Sequence, residues 1–384
     1  MYRSYKFRIY PDKLQLELIN KSFGCTRFIY NYYLSNIKGN KYQDAYSNIS
    51  DYVNYLKYEY VFLQEVDSTL IRKTLFHLDD NLKKYYNNGF GYPKYKSKFD
   101  KNSYTTNAIY KNYNDKVYCN IELDLVNRKI KLPKLKLIDI RGYRNTESIN
   151  GKIVNATISR EKNGKYYISL LFNIIDIKNK EFIPKTIVGI DLGIKKLLTL
   201  SDGISIDNNR YIEKYEKKIK RLQRELSRKV KRSNNYYKCK KKLAILYSKL
   251  KNARNYYLHN ITKKITDEYD IITCENLKVQ KMLSNRDLSK KISDASFYET
   301  IRQLEYKSRF KGKLFYQIDT YYPSSQECSV CGNIDKKYKN LNEREYKCSK
   351  CHNKIERDIN ASITSINIMF EGLKLFMKEK YSEI

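Results

Sequence analysis

Two cysteine pairs, Cys328-x-x-Cys331 and Cys348-x-x-Cys351, constrain this chain more than any other feature, with sixteen residues between them. Two CxxC pairs at that separation form a recognised zinc pattern. Four thiolates close a tetrahedral site around Zn²⁺ and leave no open position, so the single ion expected here is structural. Gly332 follows the first pair and a polar, basic stretch fills the gap, which fits a ribbon hairpin better than a redox couple. Asp358 stands seven residues beyond Cys351, where such a module would return the chain to a larger core. His352 is read as facing nucleic acid or lying outside the zinc ligands; replacement of Cys351 as a ligand is the weaker alternative. Cys25, Cys119, Cys239 and Cys274 stand alone and read as small buried hydrophobes.

The charge points to a polyanion. Lys and Arg number 76 against 42 Asp and Glu, a formal charge of +34 over 384 residues. Such a chain repels itself unless a partner neutralises it, and nucleic acid is the expected one. Codon drift in an AT-rich genome would also enrich Lys, Asn, Ile and Tyr, but it should raise Glu as well. There is no transmembrane run, and Met1 to Tyr10 lacks the apolar region of a signal peptide. A cytoplasmic, nucleoid-associated prokaryotic protein is therefore expected, with no membrane and no small-molecule partner.

Patterning divides the chain. Residues Tyr5 to Tyr10 alternate like a strand that stops at Pro11, and two short helices around a turn at Gly24 are expected next. Leu70 to Lys84 reads as helix. Gly91 to Lys98 interleaves cations with rings, so Lys94, Tyr95, Lys96 and Lys98 are candidates for phosphate contact and base stacking; a merely solvated basic loop is the plainer reading. Runs at Arg128–Leu132, Ile153–Ile158 and Tyr166–Phe172 predict a small sheet or barrel. Tyr211 to Lys264 is helical, with Ile219, Leu222, Leu226 and Val230 on one face, Leu243, Leu246 and Leu250 on the next, and a turn at Ser233–Asn235. It carries 19 Lys and Arg against three Glu, and Arg221, Arg224 and Arg228 are its candidates for tracking a phosphate backbone.

Asp191 lies inside the apolar run Thr186 to Gly193, where an unpaired carboxylate would cost several kcal/mol to bury. A hydrogen bond to neighbouring backbone would account for a solitary acid. Glu275, however, ends a second apolar run, Ile271 to Leu277, and Asp358 precedes a periodic helix from Ala361 to Ile368. Three carboxylates converging at one sheet edge would hold hard cations, Mg²⁺ or Mn²⁺, which prefer oxygen ligands. With only His77, His259 and His352 available, histidine-based nucleases and Ser-His-Asp triads are poorly supported.

These segments, taken in order, resemble the TnpB family of insertion-sequence RNA-guided endonucleases. The resemblance runs through Tyr5–Pro11, Phe23–Asn31, Pro93–Lys98, Gly189–Gly193, Cys274–Leu277, Gln303–Lys307, Tyr321–Ser325 and Arg357–Ala361. It implies an α+β multidomain fold: an RNase H-like (RuvC) nuclease core with an inserted zinc ribbon, and an N-terminal β-barrel wedge interrupted by a helical recognition lobe. The implied boundaries are 1–12 and 117–184 for the wedge, 13–116 for the lobe, 185–318 and 352–384 for the nuclease, and 319–351 for the ribbon. It assigns catalysis and two Mg²⁺ or Mn²⁺ ions to Asp191, Glu275 and Asp358. The implied partners are a guide RNA from the element's end and double-stranded DNA bearing a short adjacent motif, cut by a two-metal mechanism.

Ser296-Phe297-Tyr298 and Glu356 depart from the usual family pattern, but neither touches an acid. A nuclease-inactive RNA-guided repressor is the alternative, although such descendants typically lose acids that are retained here. A strand-joining transposase would need a Tyr nucleophile beside a His pair, and histidine is scarce.

Overall fold

The computed structural model describes residues 1–37, 49–114, 116–142, 149, 151–174, 183–320, 322–339 and 343–381. The chain forms two compact units, Met1–Ile177 and Lys178–Ile384.

In the first unit, β1 (Tyr2–Tyr10) leads into helices α1 (Lys13–Ile37), α2 (Ile49–Glu59) and α3 (Ser68–Asn88). Among the described residues eight strands follow: β2 (Asn102–Asn107), β3 (Tyr110–Tyr113), β4 (Lys116–Cys119), β5 (Glu122–Asp124), β6 (Lys129–Leu132), β7 (Lys136–Arg141), β8 (Lys152–Arg160) and β9 (Tyr166–Asn173). Seven of the nine make one sheet in the order β2-β8-β9-β1-β7-β6-β5, and β3 and β4 form a separate hairpin. Alternation builds the core, because successive side chains on a strand point to opposite faces. Tyr5, Phe7 and Ile9 of β1 are buried with Ile158, Ile168 and Leu170, and Lys6 and Tyr10 stay exposed. Ile19 and Phe23 of α1 and Leu70, Ile71 and Leu75 of α3 complete that core.

Two expectations for this unit need correction. Residues 13–37 form one helix and not two, with Gly24 inside it and nothing within 4 Å of the position a Cβ would take. A helical glycine costs about 1 kcal/mol relative to alanine, and the buried Ile19, Phe23, Ile29 and Leu34 around it offset that loss. Residues 102–107, expected in a helical lobe, are instead a sheet strand paired antiparallel with β8 from Asn102↔Arg160 to Asn107↔Asn155. A polar contact fixes β2 there: Asp67, the N-cap of α3, accepts hydrogen bonds from the hydroxyls of Thr69 and Thr106.

The second unit begins with β10 (Ile187–Leu192), β11 (Lys196–Leu200) and β12 (Ser205–Asp207). The helical pair α4 (Tyr211–Ser227) and α5 (Asn234–Glu268) crosses to β13 (Ile271–Glu275). Then come α6 (Val279–Leu283), α7 (Arg286–Ala295), α8 (Phe297–Phe310), β14 (Leu314–Ile318), the ribbon strands β15 (Glu345–Lys347) and β16 (Lys354–Glu356), and α9 (Arg357–Tyr381). The main sheet has the order β12-β11-β10-β13-β14. β10, β13 and β14 run parallel, and β11 and β12 are antiparallel additions. Continuous apolar runs suit β10 and β13 because helices cover both faces of such strands. The turn between α4 and α5 starts earlier than expected: α4 ends at Ser227, and Val230 is 78% exposed in the turn and not on the apolar face. Ser233 caps α5 by accepting from the Tyr236 N–H at 3.1 Å.

Strand alternation sorts the side chains of β10 and β13. Val188, Ile190, Ile272 and Cys274 pack with Leu258, Ile261 and Ile265 of α5 and Phe297, Ile301 and Leu304 of α8. Gly189, Asp191, Thr273 and Glu275 therefore take the opposite face, which α9 covers. That covering is unusually close. A Cβ on Gly189 would stand 1.8 Å from the Ser362 carbonyl oxygen and 2.7 Å from the Ser365 hydroxyl. Thr273 and Ser365 exchange a hydroxyl hydrogen bond at 2.7 Å across the same seam. Since the obstacle at Gly189 is backbone, Gly189→Ala is expected to destabilise this unit by about 3 kcal/mol, the upper end for overpacking. A urea-unfolding midpoint equal to wild type would contradict the close-approach account.

Among the described residues, no helix is long and apolar enough to cross a membrane.

Candidate active site

The parallel register sets two of the acids side by side. Ile190 pairs with Cys274, so Asp191 and Glu275 follow as neighbours at the carboxyl ends of β10 and β13. This is the edge at which open α/β sheets bind ligands. Asp358 enters from the first turn of α9, one turn before the Ser362 contact with Gly189. The three sequence-predicted acids are thus brought together from a strand, a second strand and a helix that lie far apart in the chain.

Electrostatics record the convergence. Asp191 is held well above the usual carboxylate range by desolvation, then by the negative charges of Glu275 and Asp358, with Arg357 pulling partly the other way. Glu275 is also raised, chiefly by burial, against a hydrogen bond from Ser324 and the charge of Arg357. Asp358 faces Arg344 and Arg357, each at 3.6 Å. Like charges crowded at a desolvated edge are what a divalent cation relieves, and an all-carboxylate donor set fits a hard ion. Among the described residues no group of three acids is gathered as tightly as the cysteine sulfurs; these carboxylates lie within electrostatic range of one another.

The four cysteines are gathered closely enough to hold a metal ion. Their sulfurs all lie within 4.8 Å of one another, with Cys328 and Cys351 at 3.6 Å and Cys331 and Cys348 at 3.5 Å. A disulfide would need about 2.05 Å, whereas a tetrahedron with Zn–S bonds of about 2.3 Å sets sulfurs roughly 3.7 Å apart. The geometry therefore fits zinc and not a disulfide. The two pairs repeat one backbone design: Cys328 N–H donates to Asn333 and Cys348 N–H to Asn353, each at 2.9 Å. Gly332 and His352 occupy the equivalent positions with φ of 70° and 56°. His352 thus serves as a left-handed turn residue, outside the ligand set. The Cys351 and Lys350 N–H groups point at the Cys348 sulfur, each at 3.4 Å, and help hold that thiol down to about 6.

One face of α9 clamps the ribbon. Asn360, fully buried, donates to the Glu327 carbonyl at 2.6 Å and accepts from the Ser329 N–H at 2.9 Å. Asn367 donates to the Ser329 carbonyl at 2.8 Å. The helix that carries Asp358 is therefore fastened to the first cysteine knuckle. Ribbon and acids share one frame.

The nucleic-acid candidates divide. Lys94, Tyr95 and Lys98 are exposed on an irregular loop. Lys96 is not free in the same way: its ammonium lies 3.8 Å from the centroid of the Tyr30 ring, and its backbone is clamped by Asn31 at 2.8 and 2.9 Å. Burial lowers its pKa, as expected for a cation used to pin the loop. Arg221, Arg224 and Arg228 are exposed at the end of α4. Cys25, Cys239 and Cys274 are buried as expected, whereas Cys119 is half-buried. Ser324, Asn360 and Arg344 were missed by sequence reasoning. Ser324 and Asn360 lie in the quoted segments, but only the topology reveals what their side chains hold. Tyr321 lies outside the described residues.

Residues 174–286 match a family described as a probable transposase, residues 297–365 a Cas12f1-like TNB domain, and residues 1–45 a helix-turn-helix domain. In that last span the described residues form a strand and one helix. A protein of Streptomyces pristinaespiralis named "Putative RNA-guided DNA endonuclease" is 31% identical, over 97% of this chain and 89% of its own length. The chain belongs to the TnpB family. Within that family, InsQ of Escherichia coli K12, which bears the same descriptive name, is 29% identical over 94% of this chain and 90% of its own. The fold is shared with the protein of a Cas12f1–sgRNA–target DNA complex, with a TM-score of 0.59 and 15% identity, over 95% of this chain and 98% of that one. TnpB membership thus rests on sequence, and the mixed α/β fold has a solved counterpart.

Proposed function

We propose that this protein is an RNA-guided DNA endonuclease that cleaves phosphodiester bonds with divalent cations held by Asp191, Glu275 and Asp358. The observation that carries the reading is the convergence of these acids, from β10, β13 and α9, at one desolvated sheet edge. The names borne by its relatives support the same activity. Residues 185–318 and 352–384 form the RuvC-like nuclease in this reading, and 319–351 the target-binding zinc ribbon. The seven-stranded sheet of the first unit forms the wedge-like barrel, with the recognition lobe confined to helices α1 to α3.

The acids would hold Mg²⁺ or Mn²⁺. When bound, a pair of such ions supplies an activated water and stabilises the leaving oxygen. The chain's own residues surround the site: Ser324 donates to Glu275, Arg344 and Arg357 face Asp358, and the Gly189–Ser362 contact sets how near α9 comes. Guide RNA pairs with one DNA strand and carries sequence specificity, while the protein reads a short adjacent motif and the backbone. Lys94, Tyr95, Lys98, Arg221, Arg224 and Arg228 are assigned to phosphate and base contacts, and Lys96 to pinning the loop that presents the first three.

The test is a purified protein–RNA complex offered plasmid that matches the guide. Cleavage in Mg²⁺, lost with chelator or without the RNA, is expected. Intact plasmid with RNA verified as bound would contradict the reading and favour a nuclease-inactive binder.

A further inference from the structure

The linker between β14 and the first cysteine pair carries a buried hydroxyl aimed at the candidate active site. Ser324 is 2% exposed, and its Oγ donates to Oε1 of Glu275. The serine is held by backbone on both sides. Its N–H donates to the Tyr322 carbonyl at 2.9 Å, and the Gln326 N–H closes onto Pro323 at 2.8 Å. Gln326 is itself fixed by the ribbon: its carbonyl accepts from the Asp335 N–H at 2.8 Å and from the Tyr346 hydroxyl at 3.0 Å. Tyr346, fully buried, packs against Tyr338 with ring centroids 4.2 Å apart in the small core that includes Cys328 and Cys348. A continuous run of contacts therefore joins the cysteine site to one carboxylate oxygen.

We propose that Ser324 is a positioning residue: the zinc ribbon uses its hydroxyl to orient the Glu275 carboxylate for cation binding. The inference rests on the reading of Glu275 as a cation ligand. A serine has one hydroxyl proton to donate, and here it is committed to Oε1, which fixes the carboxylate plane and leaves Oε2 for an ion. Groups that orient metal-binding carboxylates typically contribute 10- to 100-fold in metal affinity. The ribbon thereby acts on the chemistry as well as on substrate contact.

The test uses the full-length, zinc-loaded chain and Mn²⁺ alone as the probe, with free Mn²⁺ read by electron paramagnetic resonance. Ser324→Ala is expected to weaken Mn²⁺ binding about tenfold with zinc content and unfolding midpoint unchanged, and Ser324→Thr, which keeps the hydroxyl, to stay near wild type. Glu275→Gln is the control for the site. If Glu275→Gln weakens Mn²⁺ binding and Ser324→Ala does not, the proposal is overturned while the site stands. If Glu275→Gln has no effect, the site reading fails and takes the proposal with it. Loss of zinc or of the unfolding midpoint in Ser324→Ala would assign the serine to ribbon packing and overturn the positioning role.

Discussion

Asp191→Ala is expected to abolish guide-matched cleavage while leaving RNA binding intact. The rate should fall by at least a thousandfold, about 4 kcal/mol of barrier, because this carboxylate sits between the other two acids in the electrostatic sense: both raise it. Removing it also relieves a partly buried carboxylate crowded by two like charges, so the folded protein should be no less stable, and the unfolding midpoint should hold or rise. That pairing of a dead enzyme with an undiminished fold separates a functional acid from a structural one. Residual cleavage within tenfold of wild type, with RNA loaded equally, would contradict the assignment.

The second large effect belongs to the ribbon. Cys348→Ser removes a thiolate that accepts from two backbone N–H groups and faces Cys331 at 3.5 Å. Binding of structural zinc contributes on the order of 10 kcal/mol to the fold of such modules, and a three-cysteine site forfeits much of it. Elemental analysis is expected to show zinc well below one ion per chain. Cleavage should fall roughly a hundredfold, in line with losing the support around metal ligands, since the ribbon holds Ser324 against Glu275 and Arg344 against Asp358. Full zinc occupancy in the variant would overturn this account.

What could be read from the sequence follows the range of the interactions involved. The cysteine site is local: two tight turns and one hairpin build it, so spacing alone announces it. The strands at Tyr5–Tyr10, 153–158 and 166–172 were legible because one face of each is buried, which imposes alternation. Asp191 and Glu275 were visible as acids in apolar runs. Their convergence at one sheet edge was an expectation too, but the register that delivers it, Ile190 against Cys274 across the α4–α5 crossing, was not legible.

The misread segments share a cause. Gly24 looked like a break, yet tertiary burial of its neighbours outweighed a local preference near 1 kcal/mol. Strand β2 reads Asn-Ser-Tyr-Thr-Thr-Asn, with little apolar signal, and is held by β8 and the Asp67 contact, neither of which is near it in sequence. Lys96 looks like its loop neighbours in sequence, and the Tyr30 ring beneath its ammonium is what sets it apart. In each case the deciding partner lies elsewhere in the chain.

The central claim is that Asp191, Glu275 and Asp358 make one cation site. Crystals of the protein–RNA complex soaked in Mn²⁺ test it most directly, through anomalous scattering at the manganese edge. The account predicts anomalous peaks bounded by these three carboxylates, absent in Asp191→Ala crystals. Manganese bound elsewhere in the second unit, with this sheet edge empty, would contradict it.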